Sequence, residues 1–259
     1  MWLYSLTFQQ FLTVNLILLA GSVLQGAVGF AAGLFGIPLL VLSGISFPDA
    51  VATSLVASII QNCLPAWKLR REIDFRRALR PMLIRYALMP LGVAVLVLVG
   101  RSSKQLASQL AGGLVLAIVL IQWAWRVRPR PQLHPAWEWL AFGLGGFLLG
   151  LCGMGGPPMV LWVLAHDWPL HRARAFLYYI FATGVIPQAL LLWLSFGQEI
   201  FSAMLLGLAA LPAVWLGLTL GMALGKRVPD QHLRRISLAV LIAVAVGALL
   251  APYTPGQSR

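Results

Sequence analysis

Eight apolar runs divide the chain, at about 9–43, 49–67, 81–100, 106–124, 137–165, 175–196, 201–225 and 236–251, with polar and basic residues gathered between them. Most approach or exceed the ~20 residues with which an α-helix crosses ~30 Å of hydrocarbon, and none shows the period-two alternation of a membrane β-barrel. The pattern predicts an all-α integral membrane protein. The first and fifth runs are too long for one simple span, and each contains a cluster of glycine and proline. Glycine frees the backbone there and proline removes an amide donor. Each run is read as two shorter helices joined by an unwound, re-entrant turn. At membrane depth such a turn is stable only inside protein or beside a water-filled cavity.

The two clusters resemble each other. Gly26 to Leu40 reads GAVGFAAGLFGIPLL, and Gly146 to Val160 reads GFLLGLCGMGGPPMV. A shift of 120 positions pairs Gly26 with Gly146, Gly33 with Gly153, Gly36 with Gly156 and Pro38 with Pro158. Glu72-Ile73 is also matched by Glu199-Ile200, and Pro90 interrupts its run much as Pro212 does. The expected organisation is two four-segment repeats, 1–125 and 136–259, joined by a short Pro/Arg-rich linker at 126–135. Interrupted hydrophobic segments at corresponding places in two halves point to a transport site.

Basic residues decide the orientation. The loop from Lys68 to Arg80 holds Lys68, Arg70, Arg71, Arg76, Arg77 and Arg80, which places it in the cytoplasm. If the first and fifth runs each crossed once, the loop Lys and Arg residues would split 10 inside to 8 outside, which is almost no bias. If each turns back without a net crossing, the split becomes 15 inside to 3 outside, with Arg172, Arg174, Lys226, Arg227, Arg234 and Arg235 all cytoplasmic. The second arrangement is preferred, and it makes the halves inverted copies.

Composition agrees with the pattern: 60% of the residues are apolar, 10% are charged, and the mean hydropathy is +0.86. The excess of 19 Lys and Arg over 7 Asp and Glu lies in short loops, so it reads as topology and not as nucleic-acid binding. The ten Trp residues fall mainly near segment ends, as interfacial anchors in a lipid bilayer do. Met1 to Thr13 carries no Lys or Arg, so the first run is expected to be retained and not cleaved as a signal peptide. Cys63 and Cys152 have no CxxC or His partners and are read as buried apolar thiols.

The polar inventory narrows the chemistry. All seven acidic residues and all four His fall in loops or at segment ends, so a carboxylate relay through the bilayer, a metal site and a cofactor are not expected. What remains at depth is glycine backbone, hydroxyls and amides: Gln25, Thr53, Ser54, Ser58, Gln61 and Asn62 in the first half, and Tyr178, Tyr179, Thr183 and Gln188 in the second. Ser54, Ser58 and Asn62 recur every four residues and share one helix face, either lining a pore or bonding a neighbouring helix. Donors without carboxylates suit an anion, and half-helix N-termini at the two breaks would add exposed amides and positive dipole ends.

Simpler readings compete. The spacing of Gly217, Gly221 and Gly225 is that of helix packing, and packing is accepted for it. Arg85, about one turn past Pro81, is a candidate anion ligand, although its long stem favours snorkelling to the cytoplasmic surface. Arg172 and Arg174 could gather anions at the cytoplasmic mouth, but read better as topology determinants.

At the two glycine-proline motifs the chain resembles the TauE/SafE family of sulfite exporters, also called TSUP permeases. The resemblance rests on GAVGFAAGLFGIPLL with the following Ala52-Thr53-Ser54-Leu55, on Ile73-Asp74-Phe75-Arg76 closing the basic loop, and on GLCGMGGPP. Gly29, Gly33, Gly36 and Pro38, with Gly153, Gly155, Gly156, Pro157 and Pro158, match the family's motif positions; the first copy has Ala31-Ala32 where many members carry more glycine. The resemblance implies a multi-pass carrier of the bacterial inner membrane for small sulfur-containing anions such as sulfite, sulfoacetate or related sulfonates. The expected function is a secondary transporter, acting as an exporter and not as an enzyme, with an anion channel as the alternative and a membrane-embedded enzyme or assembly scaffold ranked lower. The expected substrate ligands are Gly29, Gly33, Gly36, Pro38, Ser54, Ser58, Asn62, Arg85, Gly153, Gly155, Gly156, Pro157, Tyr179 and Thr183.

Overall fold

The computed structural model of the chain describes residues 7–28, 32–100 and 133–225, with parts of 109–120 and 239–247. Most of the fourth and eighth apolar runs, and the linker at 126–132, lie outside the described residues. Regular structure among the described residues is helical, with no strand.

Local chemistry sets the helix boundaries. Helix α1 (Phe8–Val28) starts in a reciprocal cap: Thr7 Oγ1 accepts from the Gln10 amide at 3.2 Å, and Gln10 Oε1 accepts from the Thr7 amide at 3.1 Å. Helix α2 (Ala32–Leu42) follows, then α3 (Phe47–Lys68), capped by Ser46 Oγ accepting from the Asp49 amide at 3.3 Å. A 3₁₀ turn at Arg70–Glu72 leads to α4 (Phe75–Gly100), whose first turn is held by Asp74 Oδ1 accepting from the Arg77 amide at 3.1 Å. In the second half come α5 (Pro135–Cys152), α6 (Gly156–Leu164), α7 (Leu170–Thr183), α8 (Val185–Phe196), α9 (Glu199–Ala209) and α10 (Leu211–Gly225). At the end of the linker His134 caps α5, and Pro135 is the first residue of that helix.

Five of these stretches are long and apolar enough to cross a membrane: 8–27, 47–68, 75–100, 135–152 and 171–196, the last joining α7 to α8. The pair α9 and α10, bent by 50°, makes a sixth if it counts as one span. The chain is a multi-pass membrane protein. Cys152 is buried as expected, but Cys63 is exposed, on the outward face of α3.

Two glycine seams hold the halves together. Along α5, a side chain at Gly146 would run into the Arg85 carbonyl of α4, and one at Gly150 into the Met89 carbonyl; from the other side, Gly92 meets the Phe147 carbonyl. Along α10, Gly217 lies on Leu19, Gly221 on Val23 and Gly225 on Ala27 of α1, which is the packing role read from their spacing. In both seams the residue numbers rise together, so the paired helices run parallel. Each half thus lays the long helix of its broken run along the third run of the other half. Gly26 and Gly146, paired by the sequence shift, both sit in these seams.

The basic loop also binds the second half. Arg80 Nε lies 3.4 Å from Glu138 Oε1 at the start of α5, Arg172 lies 3.6 Å from Asp74, and His171 lies 3.5 Å from Glu72. Arg77 and Arg172 stand over the Trp168 ring, 4.9 and 5.5 Å from its centroid. Both ends of the α5–α6 unit therefore rest against the same loop.

Candidate functional site

The α5–α6 break is a glycine stop followed by a proline start. Gly153 takes the left-handed conformation (φ +67°), with its amide donating to Leu149 O at 2.9 Å and the Met154 amide to Leu148 O at 3.4 Å. A new helix begins at Gly156, with Pro157 and Pro158 in its first turn, where missing N–H groups cost nothing. The α1–α2 break spans residues 29–31, which include Gly29 and lie outside the described residues.

The fold brings the two breaks together. A Cβ on Gly33 would lie 3.2 Å from the Gly153 carbonyl, and one on Gly153 would lie 2.9 Å from Ile37 Cδ1 of α2. Between them is a cavity of about 80 Å³. A buried water needs roughly 10–15 Å³ on this measure, so the space suits several waters or a compact ion.

Of the expected ligands, Gly33, Gly36, Ser54, Ser58, Asn62, Arg85, Gly153, Gly155, Gly156 and Pro157 line this cavity. The face shared by Ser54, Ser58 and Asn62 is therefore a cavity wall. Three others are not part of it. Pro38 is buried in the body of α2, the Tyr179 ring packs edge-on against Phe75 with centroids 5.2 Å apart, and Thr183 Oγ1 turns back to Ile180 O at 3.0 Å. The helix faces on which Tyr179 and Thr183 lie direct their side chains away from the cavity.

Arg85 departs most from expectation. It does not snorkel: it is 1% exposed, among the largest fully buried side chains, and its Nη1 donates to the Ile180 carbonyl of α7. Its stem cannot reach the surface because α4 is covered there by α5 and α7. No carboxylate pairs with it among the described residues, and its Nε has no hydrogen-bond partner. Among the described residues, Ser54 Oγ is the other buried polar side-chain atom without one. Gly184, at the seam between α7 and α8, makes room for the guanidinium, since a Cβ there would lie 2.5 Å from Nη2.

Three amide side chains brace the walls. Gln25 Oε1 accepts from the Ala32 amide at 3.1 Å while its Nε2 donates to Asn62 Oδ1 at 3.3 Å. Gln61 Nε2 donates to Ser22 Oγ at 2.8 Å, and Gln188 Nε2 to Leu149 O at 2.8 Å, just before the second break. The sequence marks these glutamines as polar residues at depth; their bracing roles, and that of Gly184, depend on neighbours brought together across the fold. Arg85 is the sole charged residue on the described lining, and no group of three or more metal-binding side chains occurs among the described residues.

The Gly153 geometry yields a first prediction. Gly153→Ala is expected to cost about 1–2 kcal/mol from left-handed strain alone, plus the clash with Ile37 Cδ1. Thermal unfolding in detergent of the single variant and of Gly153→Ala/Ile37→Val separates the two, since removing Cδ1 relieves only the steric share. Equal destabilisation in both would leave backbone strain as the whole effect.

A multi-pass helical membrane protein with a polar, singly cationic cavity between two broken helices belongs to the class of membrane transporters. The family model of the sulfite exporter TauE/SafE matches residues 14–248, and the chain belongs to that family. Members of this family are membrane transporters and not enzymes. No curated protein and no solved structure matches the chain.

Proposed function

We propose that this protein is a secondary transporter that exports a small anion, sulfite or an organosulfonate, across the bacterial inner membrane through the cavity between the two breaks. The observation that carries the reading is Arg85, a buried guanidinium with an unpartnered Nε in a cavity with no carboxylate on its described lining. A cation held at membrane depth without a counter-ion is costly, and a bound anion supplies the missing partner. Ser54, Ser58 and Asn62 on one wall, and Gly153, Gly155, Gly156 and Pro157 on the other, are the ligands assigned beside it, with Gly33 and Gly36 shaping the first break.

The reading includes two inverted halves, 1–125 and 136–259, rocking about this cavity. Support comes from how the runs begin and end. The α5–α6 unit starts and finishes against the basic loop, through Arg80–Glu138 and Arg77–Trp168. Helix α1 runs parallel to α3, with Ser22 bonded to Gln61 and Gln25 to Asn62, and so starts at the opposite face. Helix α2 then begins level with Gly21 and returns. These contacts support a reading in which each broken run enters and leaves on one side, with the two sides opposite.

With a cytoplasm-negative potential, expelling one negative charge gains about 2.3 kcal/mol per 100 mV, so export needs no further energy source. The test is sulfite flux from loaded proteoliposomes under an imposed potential. The expected result is saturable efflux that quickens as the interior is made more negative. Flux that stays linear in sulfite concentration would favour the channel, and the absence of flux from folded protein would overturn the substrate assignment.

A further inference from the structure

The two half-helix N-termini at the cavity are not equivalent. At α2 the first amide, Ala32 N–H, is already taken: it donates to Gln25 Oε1, and Gln25 is itself anchored through Nε2 to Asn62 Oδ1 on α3. At α6 no side chain caps the helix. Pro157 and Pro158 carry no N–H, so its start offers the amides of Gly155 and Gly156. Ser54 Oγ stands across the cavity, 4.0 Å from where a Gly36 Cβ would be, while Arg85 is held by the part of α7 that packs on the second end. One turn of α7 touches both partners, with the Phe181 ring 3.3 Å from where a Gly156 Cβ would stand and the Ile180 carbonyl bound to Arg85. Arg85 and Ser54, whose Nε and Oγ are buried and have no hydrogen-bond partner among the described residues, both line the cavity.

We propose that the cavity binds one compact oxyanion with a single anionic head, held by Arg85, Ser54 and the Gly155 and Gly156 amides, and that the Gln25 amide oxygen stands where a longer substrate would place a second anionic head. The inference rests on the transport reading and deepens it by naming the substrate class. A helix N-terminus attracts an anion through its free amides and dipole. Gln25 occupies the first of these amides at α2 with an uncharged oxygen on an amide that is fixed at both ends, so a second carboxylate or sulfonate reaching the Ala32 N–H would have to displace it and lose its hydrogen bonds. Gln25 is thus a specificity-determining residue: it discriminates by the number of anionic heads, by obstruction and not by attraction.

The test uses the full-length protein in proteoliposomes, with sulfite efflux as the signal and three competitors: unlabelled sulfite, sulfoacetate with two heads, and ethanesulfonate of similar length with one. In the wild-type protein sulfoacetate should compete at least about tenfold more weakly than sulfite, and more weakly than ethanesulfonate. In Gln25→Ala the preference for sulfite over sulfoacetate should fall by about tenfold. Gln25→Asn, one methylene too short to reach Ala32, should shift it in the same direction if the alanine variant does not fold.

Equal competition by sulfite and sulfoacetate in the wild-type protein would overturn the inference and leave transport standing. So would exclusion of ethanesulfonate as strong as that of sulfoacetate, which would make size the criterion. Loss of sulfite efflux in the wild-type protein itself would instead remove the transport reading on which the inference rests.

Discussion

Arg85→Met is expected to abolish anion flux and at the same time to raise the thermal stability of the protein. The two effects have one origin. In the resting structure Arg85 is a full charge with no carboxylate partner among the described residues, and with an Nε that makes no hydrogen bond. Replacing such a buried ion by an apolar side chain of similar length is often neutral, or stabilising by about 1–4 kcal/mol. Forgoing the Arg85–Ile180 hydrogen bond costs little, because the Ile180 carbonyl keeps a second donor in Thr183 Oγ1 at 3.0 Å. For the bound anion the balance is reversed. Removing the charged partner of a buried anion costs about 2–5 kcal/mol, roughly 30-fold to several-thousand-fold in affinity.

Sulfite flux and thermal unfolding on the same preparation check both halves. Sulfite should also stabilise the wild-type protein against heat and leave Arg85→Met unmoved, because a ligand that binds only the folded state raises its stability. Flux preserved in Arg85→Met would remove this residue from the site.

Gly146→Val is expected to prevent recovery of folded protein. The α4–α5 seam brings two backbones together, with Gly146 against the Arg85 carbonyl, Gly150 against the Met89 carbonyl and Gly92 against the Phe147 carbonyl. None of these neighbours is the tip of a flexible side chain, so relief requires the helices to part along the whole seam. Overpacking commonly costs about 1–3 kcal/mol where side chains can give way, and here they cannot. Membrane helices gain no hydrophobic effect from one another, so the close approach is itself the source of their attraction. Gel filtration of the detergent-extracted protein should show no monodisperse peak for Gly146→Val. The peak should persist in Gly113→Ala, where nothing among the described residues lies within 4 Å of the added carbon.

The sequence carried much of this arrangement. The overlong first and fifth runs are both interrupted within their glycine-proline clusters, and at the second interruption the signals are local: left-handed Gly153 stops one helix, and Pro157 and Pro158 open the next. The Ser54, Ser58 and Asn62 face is legible for the same reason, since helical period alone puts the three on one side. Arg85 was not legible. An arginine one turn inside an apolar run has the same sequence signature whether its stem reaches the surface or points inward, and the outcome is decided by which helices cover α4. Tyr179 and Thr183 lie outside the cavity lining for a related reason: polarity at depth does not reveal which face of α7 looks into the cavity. The bracing glutamines required knowing that Gln25 reaches Ala32 and Asn62, and that Gln188 reaches Leu149, hydrogen bonds that separate segments make only in the finished fold. Gly146 reads in the sequence as part of the break motif, yet its work is in the seam.

The exchange of helices between the halves has a consequence for biogenesis. Helix α1 emerges from the ribosome well before α10, whose glycines pack on it, and α4 likewise before α5. Until synthesis reaches the second half, α1 and α4 both lack the glycine-lined helices that pack on them. Neither half can therefore mature as a unit while the chain is being made, and the burial of Arg85 is among the last events of assembly, because the α7 turn that receives it belongs to the later half.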